Sequence, residues 1–508
     1  MSLDSAISVA TSGLANVNLQ LALISQNVAN ASTPSYAVVT AAQQSVTAGG
    51  VGMGVMSDLA TRNVNTQVQA SLLLQNATVG ALTTRQTALA AIDAAQGTPG
   101  QGSDLPSLLG KLQDAFSTLA GGPDSQPQQG AVIGAARTLA TGINTLSNAY
   151  VTQRQAAQDS IASEVGTLNT TLSTIGTLSK QIVAMRATGL STADLENQRD
   201  AAIQGLSQLV DVKTLQQPNG DLILTTTTGV LLPIHGQANP FSVPSATLGP
   251  GAYYPGGGIP AITLDGMDVT TQFTSGRIGA NIKLRDTTLP TDQSELDEFS
   301  QNLAGRFSAQ GLNLFTDATG TVPASGGPPT QSGYVGFAGD IQVNPAVLAN
   351  ASLVRDGTQA VAGSPTGASA FTPNPAGGPA GFTTLISRVL NYTFGADAQS
   401  GVTQPASNTT GLGPTGTLNA PYSPPATLSG IASALVAAQA QDSSTTSGQV
   451  STEQSVQTSL QSTLSAGSGV SMDTEMSLMI TLQNAYGANA KVITAAQAMF
   501  AQLLQSVA

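Results

Sequence analysis

The chain has 508 residues, which is more than a single hydrophobic core holds and indicates three or four domains. Only 9% of the residues are charged and the formal net charge is −12, which argues against nucleic acid or an anionic membrane as a partner, since both favour a basic face. With no cysteine and a single histidine, His235, disulfides, the common zinc-ligand sets and a Cys–His dyad are excluded within one chain.

The N-terminal segment predicts an amphipathic helix that ends before Asn30–Pro34. Asn30 tolerates the left-handed conformation that ends helices, and Pro34 disfavours a helical conformation at Thr33. We expect no cleaved signal peptide here and no apolar run long enough to span a bilayer. The inward stripe of this helix steps by alternating threes and fours through Ile7, Ala10, Leu14, Val17, Leu21, Ile24 and Val28.

Helices and short strands alternate through the middle of the chain. The glycine-rich segment 49–55 predicts strands and turns, because a phosphate-binding loop there would lack its Lys-Ser/Thr pair. Apolar periodicity predicts helices over about 62–93, 105–119, 130–186, 193–209, 289–312 and 428–464. Period-two runs predict strands at 210–213, 222–225, 230–232 and 278–284. The Pro- and Gly-rich segment 317–425 is predicted to form a small β-rich surface domain.

The C-terminal segment predicts a second helix with a heptad stripe. Helices at the two ends of a long chain pair only if the chain folds back on itself or if they pack against other subunits, which is typical of a building block of an assembly. The stripe comprises Leu478, Leu482, Ala485, Asn489, Val492, Ala496, Met499 and Leu503.

These elements together predict a mainly α fold with a β-rich insertion. The terminal helices pair as a coiled coil, a bundle of long helices lies next to it, and a small β-rich domain lies outside. The predicted domains are a terminal coiled coil (1–40 and 465–508), a helical bundle with short hairpins (41–240, 270–316 and 426–464), a Pro/Gly-rich loop region (241–269) and the outer domain (317–425).

No catalytic, cofactor or metal site is predicted. His235 lacks a nucleophile elbow that would make it the base of a serine triad. Carboxylates cluster at Asp292, Glu295, Asp297 and Glu298, but they fall in the first turns of a predicted helix, where they favour the positive end of the helix dipole. Paired acids of a glycosidase remain the alternative for this cluster, because they need only spatial closeness.

Two terminal motifs resemble those of bacterial flagellar rod, hook and hook-associated proteins. The first is Ser12-Gly13-Leu14 followed by the run from Asn27 to Tyr36, and the second is the run from Gly469 to Asp473 followed by Ala485–Ile493. Within that family, Leu195–Asp200 and Gly276–Ala280 look like segments of its hook-associated members. The resemblance covers about half of the chain, and 317–425 carries none of it.

The resemblance implies a structural adaptor, not an enzyme, that is secreted by the flagellar type III apparatus and assembles at the hook–filament junction outside the cell. Its implied partners are the hook protein, the second junction protein (hook-associated protein 3), further copies of the chain in a helical layer and an export chaperone on the C-terminal helix. Neither nucleic acid nor membrane is an expected partner. The implied assembly interface comprises Ile7, Leu14, Val17, Leu21, Ile24, Asn27, Val28, Asn30, Tyr36, Leu478, Leu482, Ala485, Tyr486, Asn489, Val492, Ala496, Met499 and Leu503.

Two alternatives stay open at this stage. The hook protein shares both terminal motifs, but it would be mostly β between its ends, unlike the helix predicted over 130–186. A glycan-acting enzyme in the 317–425 segment would depend on acids such as Asp317 and Asp340. The thin, alanine-rich stripes further predict that the terminal helices order only when they dock.

Overall fold

The computed structural model describes residues 3–33, 35–48, 51–98 and 100–507, so Pro34, Gly49 and Gly50 of the predicted turns lie outside the described residues. The chain is 59% helical with small sheets, which confirms the mainly α class. The α-helices of the described residues are α1 (Leu3–Ala29), α2 (Thr66–Gln96), α3 (Leu105–Ala120), α4 (Gln126–Ala187), α5 (Ala193–Leu209), α6 (Gly276–Lys283), α7 (Leu289–Ala309), α8 (Phe337–Asp340), α9 (Pro345–Ala349), α10 (Leu353–Asp356), α11 (Thr384–Arg388), α12 (Leu428–Ser468) and α13 (Met472–Val507).

The strands are short and form two- or three-stranded antiparallel sheets. They pair as β1–β4, β2–β3, β5–β6–β7, β8–β9–β10, β11–β12 and β13–β14. Their bounds are β1 (Val39–Thr40), β2 (Gln43–Ala48), β3 (Val51–Ser57), β4 (Thr61–Arg62), β5 (Lys213–Gln216), β6 (Leu222–Thr225), β7 (Leu231–Leu232), β8 (Phe241–Ser242), β9 (Thr263–Leu264), β10 (Met267–Asp268), β11 (Phe315–Thr316), β12 (Gln342–Val343), β13 (Asp397–Gln399) and β14 (Val402–Thr403).

Side-chain caps define where several helices begin. Asn65 accepts the Val68 N–H at 3.2 Å at the start of α2, and Thr427 accepts the Gly430 N–H at 3.1 Å at the start of α12. Asp104 accepts the Ser107 N–H at 3.0 Å before α3. These caps satisfy helix N–H groups that have no partner within the helix.

The helix α4 connects two hydrophobic cores. Its 62 residues make a rod of roughly 90 Å. Residues from Val132 to Ala157 pack in the first core, with α3, α7 and α12, and residues from Ile161 to Ile175 pack in the second, with α5, α6 and the β5–β7 sheet. One long helix therefore holds both halves of the bundle in a fixed relation.

The segment 317–425 differs from the expected β-rich organisation. Its strands are two or three residues long, and single-turn helices and loops join them. Phe337, Ile341, Leu385 and Val389 are buried in the first core, together with side chains of α3, α4 and α7. Its apolar residues are separated by Pro and Gly, so the backbone follows the surface of the bundle instead of forming a sheet. The predicted domain boundaries stay a prediction.

The alternating run at 278–284 was wrongly predicted as a strand. Residues 276–283 form α6, and a π-helical turn over Leu284–Thr288 continues it into α7. Four alternating positions also fit a short helix, in which Ile278 and Asn281, three residues apart, are both buried. Asn281 donates to Glu164 on α4 at 3.1 Å, and this contact fixes the helix against the bundle.

Candidate assembly interface

The helices α1 and α13 lie side by side, so the two ends of the chain meet within one molecule. They approach closely at Gly13, where a Cβ atom would lie 3.0 Å from the Asn489 amide nitrogen. Another side of α1 is covered by the β2–β3 hairpin. Ser12 Oγ accepts the Val55 N–H at 3.2 Å, and the Ser57 hydroxyl donates to Asn16 Oδ1 at 2.6 Å. The helices and the hairpin form the terminal rod, and coiled-coil geometry within it stays a prediction.

Asn27 holds the chain that leaves α1. Its side chain is 1% exposed and bonds both backbone groups of Val39: Oδ1 accepts the N–H and Nδ2 donates to the carbonyl, each at 3.0 Å. The Tyr36 hydroxyl also donates to Asn27 Oδ1, at 3.2 Å. Burial raises the pKa of Tyr36 to about 12, with further contributions from Asp194 and Glu475, so the hydroxyl keeps the proton that it donates.

The helix α5, which contains the Leu195–Asp200 segment, fastens the rod to the bundle. Asn197 repeats the Asn27 arrangement with Ala37: its Oδ1 accepts the N–H at 3.2 Å and its Nδ2 donates to the carbonyl at 3.0 Å. Arg62 on β4 bonds Glu196 at 2.9 Å and Asp200 at 2.7 Å. The spacing of 196, 197 and 200 places all three side chains on one face of α5.

Arg62 also lowers the pKa of Glu196 on this face of α5. Burial raises the pKa of Glu196, but hydrogen bonds from Arg62 and Thr192 outweigh burial and hold the pKa below its ordinary value. Glu196 is therefore ionised when it binds Arg62. Arg199 points away from this face and donates to the Gly220 carbonyl at 2.8 Å, which ties α5 to the β5–β6 turn.

The end of α12 also binds the segment that follows α1. The contacts made by Arg62, Asn197 and Ser468 are together called the anchor. The Ser468 carbonyl accepts the Val38 N–H at 2.8 Å, and its hydroxyl accepts the Asn65 N–H at 3.1 Å. Ser35 and Gln204 are also hydrogen-bonded, as are Gln26 and Asp194. A cavity of about 200 Å³ lies between residues 31–33 and 35–37, α2, α5 and the end of α12. Sequence reasoning missed Arg62 and Ser468; the available signal for Arg62 was that it is one of only 16 basic residues in the chain.

The structure separates the predicted interface residues into two groups. In the N-terminal group, Val17, Ile24 and Asn27 are buried inside the molecule. The half-buried members of that group are Ile7, Leu14, Leu21, Val28, Asn30 and Tyr36. Most of this stripe is therefore used within one molecule, against α13, the hairpin and α5.

On α13 the residues that pack inward are those nearest α1. Leu482, Ala485 and Asn489 are half-buried and Ala496 is 2% exposed. The other five predicted residues of α13 are more exposed and are called its open flank; Leu478, Val492 and Met499 lie at multiples of seven along the helix, and Leu503 lies seven residues after the buried Ala496. The exposed predicted residues are Leu478, Tyr486, Val492, Met499 and Leu503, with exposed fractions between 44% and 56%.

The acidic cluster lies deeper than predicted. Glu295, Asp297 and Glu298 are buried, because α6 and the π-helical turn precede α7 and place these acids inside the bundle. Asp297 accepts the N–H groups of Gly336 and Ala338 at 2.7 and 2.9 Å, and Glu298 accepts the Tyr334 hydroxyl at 2.6 Å. These two acids therefore support the loop at 334–338.

Asp317 and His235 also have structural partners. Asp317 Oδ1 accepts the N–H groups of Thr319 and Thr321, both at 2.9 Å, and so closes a turn. His235 Nε2 lies 2.9 Å from Asp221 Oδ2 beside the β5–β6 turn. Among the described residues, no group of three or more His, Cys, Asp or Glu side chains is arranged to hold a metal ion.

One expectation about α1 was wrong. With a mean hydropathy of 1.4, it is long and apolar enough, by length and composition, to cross a membrane. In the structure its apolar residues contact α13 and the hairpin, so the same composition also suits a helix of the terminal rod.

Comparison with known proteins identifies both the bundle and the terminus. The family described as Flagellar hook-associated protein FlgK helical domain matches residues 89–321, and the family described as Flagellar basal body rod FlgEFG protein C-terminal matches residues 461–506. Flagellar hook-associated protein 1 of Bacillus subtilis (strain 168) is 25% identical over 225 residues, which cover 42% of this chain and 44% of that protein. The chain thus spans less than half the length of this relative.

A solved structure, that of the flagellar hook junction protein FlgK from Burkholderia pseudomallei, has a TM-score of 0.39 and 22% identity over 50% of this chain and 45% of that chain. The helical-domain match includes α4 and α5, and the C-terminal match covers almost all of α13. The chain is therefore similar to flagellar hook-associated proteins over its helical bundle and to flagellar rod proteins at its C-terminal helix.

Proposed function

We propose that this chain is a structural adaptor at the junction between the flagellar hook and filament. The observation that carries the proposal is the open apolar flank of α13, in a chain whose bundle matches the hook-associated helical domain. Contiguous exposed apolar residues are typical of interaction surfaces. A surface that meets a different surface on the next copy, with a rotation and a rise, generates a helical layer.

The anchor around α5 supports this role. It fixes the terminal rod to the bundle through Arg62, Asn197 and Ser468, so force on the rod is passed to the outer helices. The proposed partners of the open flank are further copies of this chain, the hook protein and hook-associated protein 3. An export chaperone on α13 would cover the same residues before assembly. In this proposal the chain is secreted, acts outside the cell and is not an enzyme.

A substitution on the open flank tests the proposal. In a strain that lacks this chain, Leu503→Glu is expected to be exported but to leave hooks without filaments, because a buried carboxylate has no partner in the assembled layer. The matched control is Leu215→Glu on β5, which replaces a similarly exposed leucine far from the rod and should restore filaments. Normal filaments with Leu503→Glu, while export of both variants is equal, would contradict the proposal.

Ordering of the terminal helices on docking also stays part of the proposal. Circular dichroism of the free chain and of a version without residues 1–33 and 465–508 would test it. We expect trimming to remove little helical signal. If trimming removes the signal of two full helices, α1 and α13 are already formed in the monomer and the ordering step is wrong.

A further inference from the structure

A second cavity lies inside the bundle, away from the terminal rod. It has a volume of about 770 Å³ and lies between α2, α7, α12 and the segment at 419–422. One wall is apolar and is formed by Leu89, Ile92 and alanines 434, 437 and 438. The other wall carries the charged residues of this region, and the family role described above uses none of them.

The charges of this cavity do not balance. Its carboxylates are Asp93, Asp292, Glu295 and Asp442, and its cation is Arg85. Arg85 already forms an ion pair with Asp442, whose two carboxylate oxygens lie 2.5 and 2.7 Å from the Arg85 Nη2 atom. Asp93 accepts a hydrogen bond from the Ser443 hydroxyl. Asp292 and Glu295 therefore have no ion-pair partner among the described residues.

Glu295 gives the strongest evidence that a hydrogen-bond donor can bind in the cavity. Its side chain lines the cavity and is 4% exposed, and its Oε1 has no hydrogen-bond partner among the described residues. A buried oxygen that makes no hydrogen bond is costly, by roughly 1–3 kcal/mol. A donor that enters the cavity would remove that cost, and a cationic donor would also neutralise the excess of carboxylates.

The geometry favours an organic cation over a metal ion. No three carboxylates of the described residues come together as metal ligands, so a hard divalent ion would lack a ligand set. A primary ammonium needs only two or three acceptors, and the alkyl chain attached to it would lie against the apolar wall. We propose that this cavity binds a small alkylammonium ligand, with the ammonium group between Asp292 and Glu295.

Proton release provides an independent signature of such binding. Burial raises the pKa of Glu295 to about 8, with Asp292 adding to the rise and a hydrogen bond from Tyr422 opposing it. Burial and Asp442 raise the pKa of Asp292 to about 7, against the effect of Arg85. Tyr150 on α4 also faces these two acids, and its raised pKa keeps it neutral. An ammonium favours the ionised carboxylates, so its binding should release protons and strengthen as the pH rises.

Calorimetric titration of the full chain with 1,4-diaminobutane tests the proposal. We expect saturable binding that is tighter at alkaline than at acidic pH, with a heat that depends on the ionisation enthalpy of the buffer. Glu295→Gln, which matches the shape of the protonated acid and so should fold, is expected to weaken binding about tenfold or more. The matched control, Asp473→Asn at an exposed position on α13, should bind as the wild type does.

Three results would overturn the proposal. They are the absence of saturable binding, equal affinity for Glu295→Gln and the wild type when both show the same thermal unfolding, and equally tight binding of Mg²⁺ at the same site. The proposed role in the flagellum does not depend on any of them, because the cavity lies apart from the open flank of α13.

Discussion

Replacing Asn27 by alanine should release the segment that follows α1. Asn27 bonds both backbone groups of Val39, a residue that is 3% exposed, so the substitution leaves a buried N–H and a buried carbonyl without partners. Each such group costs about 1–3 kcal/mol, and the pair about 2–4 kcal/mol once water partly enters. The cost falls on the local docking of residues 37–40 and not on the whole bundle, whose cores lie elsewhere.

Hydrogen exchange followed by mass spectrometry, on assemblies in which α1 is docked, measures this local cost. A loss of 2–4 kcal/mol corresponds to exchange about 30- to 1,000-fold faster in the 37–40 segment, since every 1.4 kcal/mol is tenfold. The control is Asn30→Ala, whose amide donates only to the Gln26 carbonyl of its own helix at 3.0 Å and is half-exposed. We expect that control to change exchange by less than about threefold.

The result that would refute this reasoning is equal exchange in Asn27→Ala and Asn30→Ala. That outcome would mean that the two bonds from Asn27 to Val39 add little to the docking of residues 37–40.

Further predictions concern the anchor, the bundle and pH. Arg62→Ala should lower the unfolding free energy by about 3 kcal/mol and raise the pKa of Glu196. Arg186→Ala removes only a more exposed contact, 3.4 Å long, to the same Glu196 and should cost less than about 1 kcal/mol. Denaturant titrations separate the two variants. Gly276→Ala should destabilise the protein by about 2–4 kcal/mol, because φ is +69° at this residue and the new Cβ would lie 2.4 Å from the Leu209 carbonyl oxygen. The control, Gly130→Ala, has open space around it and should leave the unfolding temperature unchanged or raise it. Thermal melts measure both. Folding raises the pKa of Glu295 from 4.5 to about 8, so its stabilising contribution is complete below about pH 4.5 and is lost as the pH rises to about 8, by up to about 5 kcal/mol. Glu295→Gln should flatten the pH dependence of the unfolding temperature, and an unchanged profile would contradict this.

Long helices were predictable because their apolar periodicity extends over many turns. The expected 130–186 and 105–119 segments correspond to α4 and α3 within a few residues. Their inward residues, such as Leu146, Ile161 and Leu172, are buried as the period requires. The hairpin after α5 was also predictable, since its strands are separated by a Pro-Asn-Gly-Asp turn.

Short elements were less predictable because their conformation depends on distant contacts. Four alternating residues at 278–284 fit a strand or a helix equally well, and the bond between Asn281 and Glu164 is invisible in sequence. The acids of α7 are buried because α6 continues into that helix, so the predicted exposed helix start does not exist.

The candidate interface stays a prediction, and the structure adds which of its residues are covered within the molecule. A heptad pattern identifies a helix face, yet it cannot say whether another part of the same chain covers that face. Asn27 and Ala496 are covered within the molecule, whereas Leu503 is 56% exposed. In the proposed assembly, the partner of Leu503 is a neighbouring subunit.

The most direct test of the proposed adaptor role is a strain from which this chain is deleted. Electron microscopy of the cells and detection of flagellin in the culture medium together report the stage at which assembly stops. We predict that the cells keep hooks of normal length, carry no filaments and release flagellin monomers into the medium. Cells that lack hooks would contradict the junction role and favour a hook subunit, and cells with normal filaments would contradict any role in the axial structure.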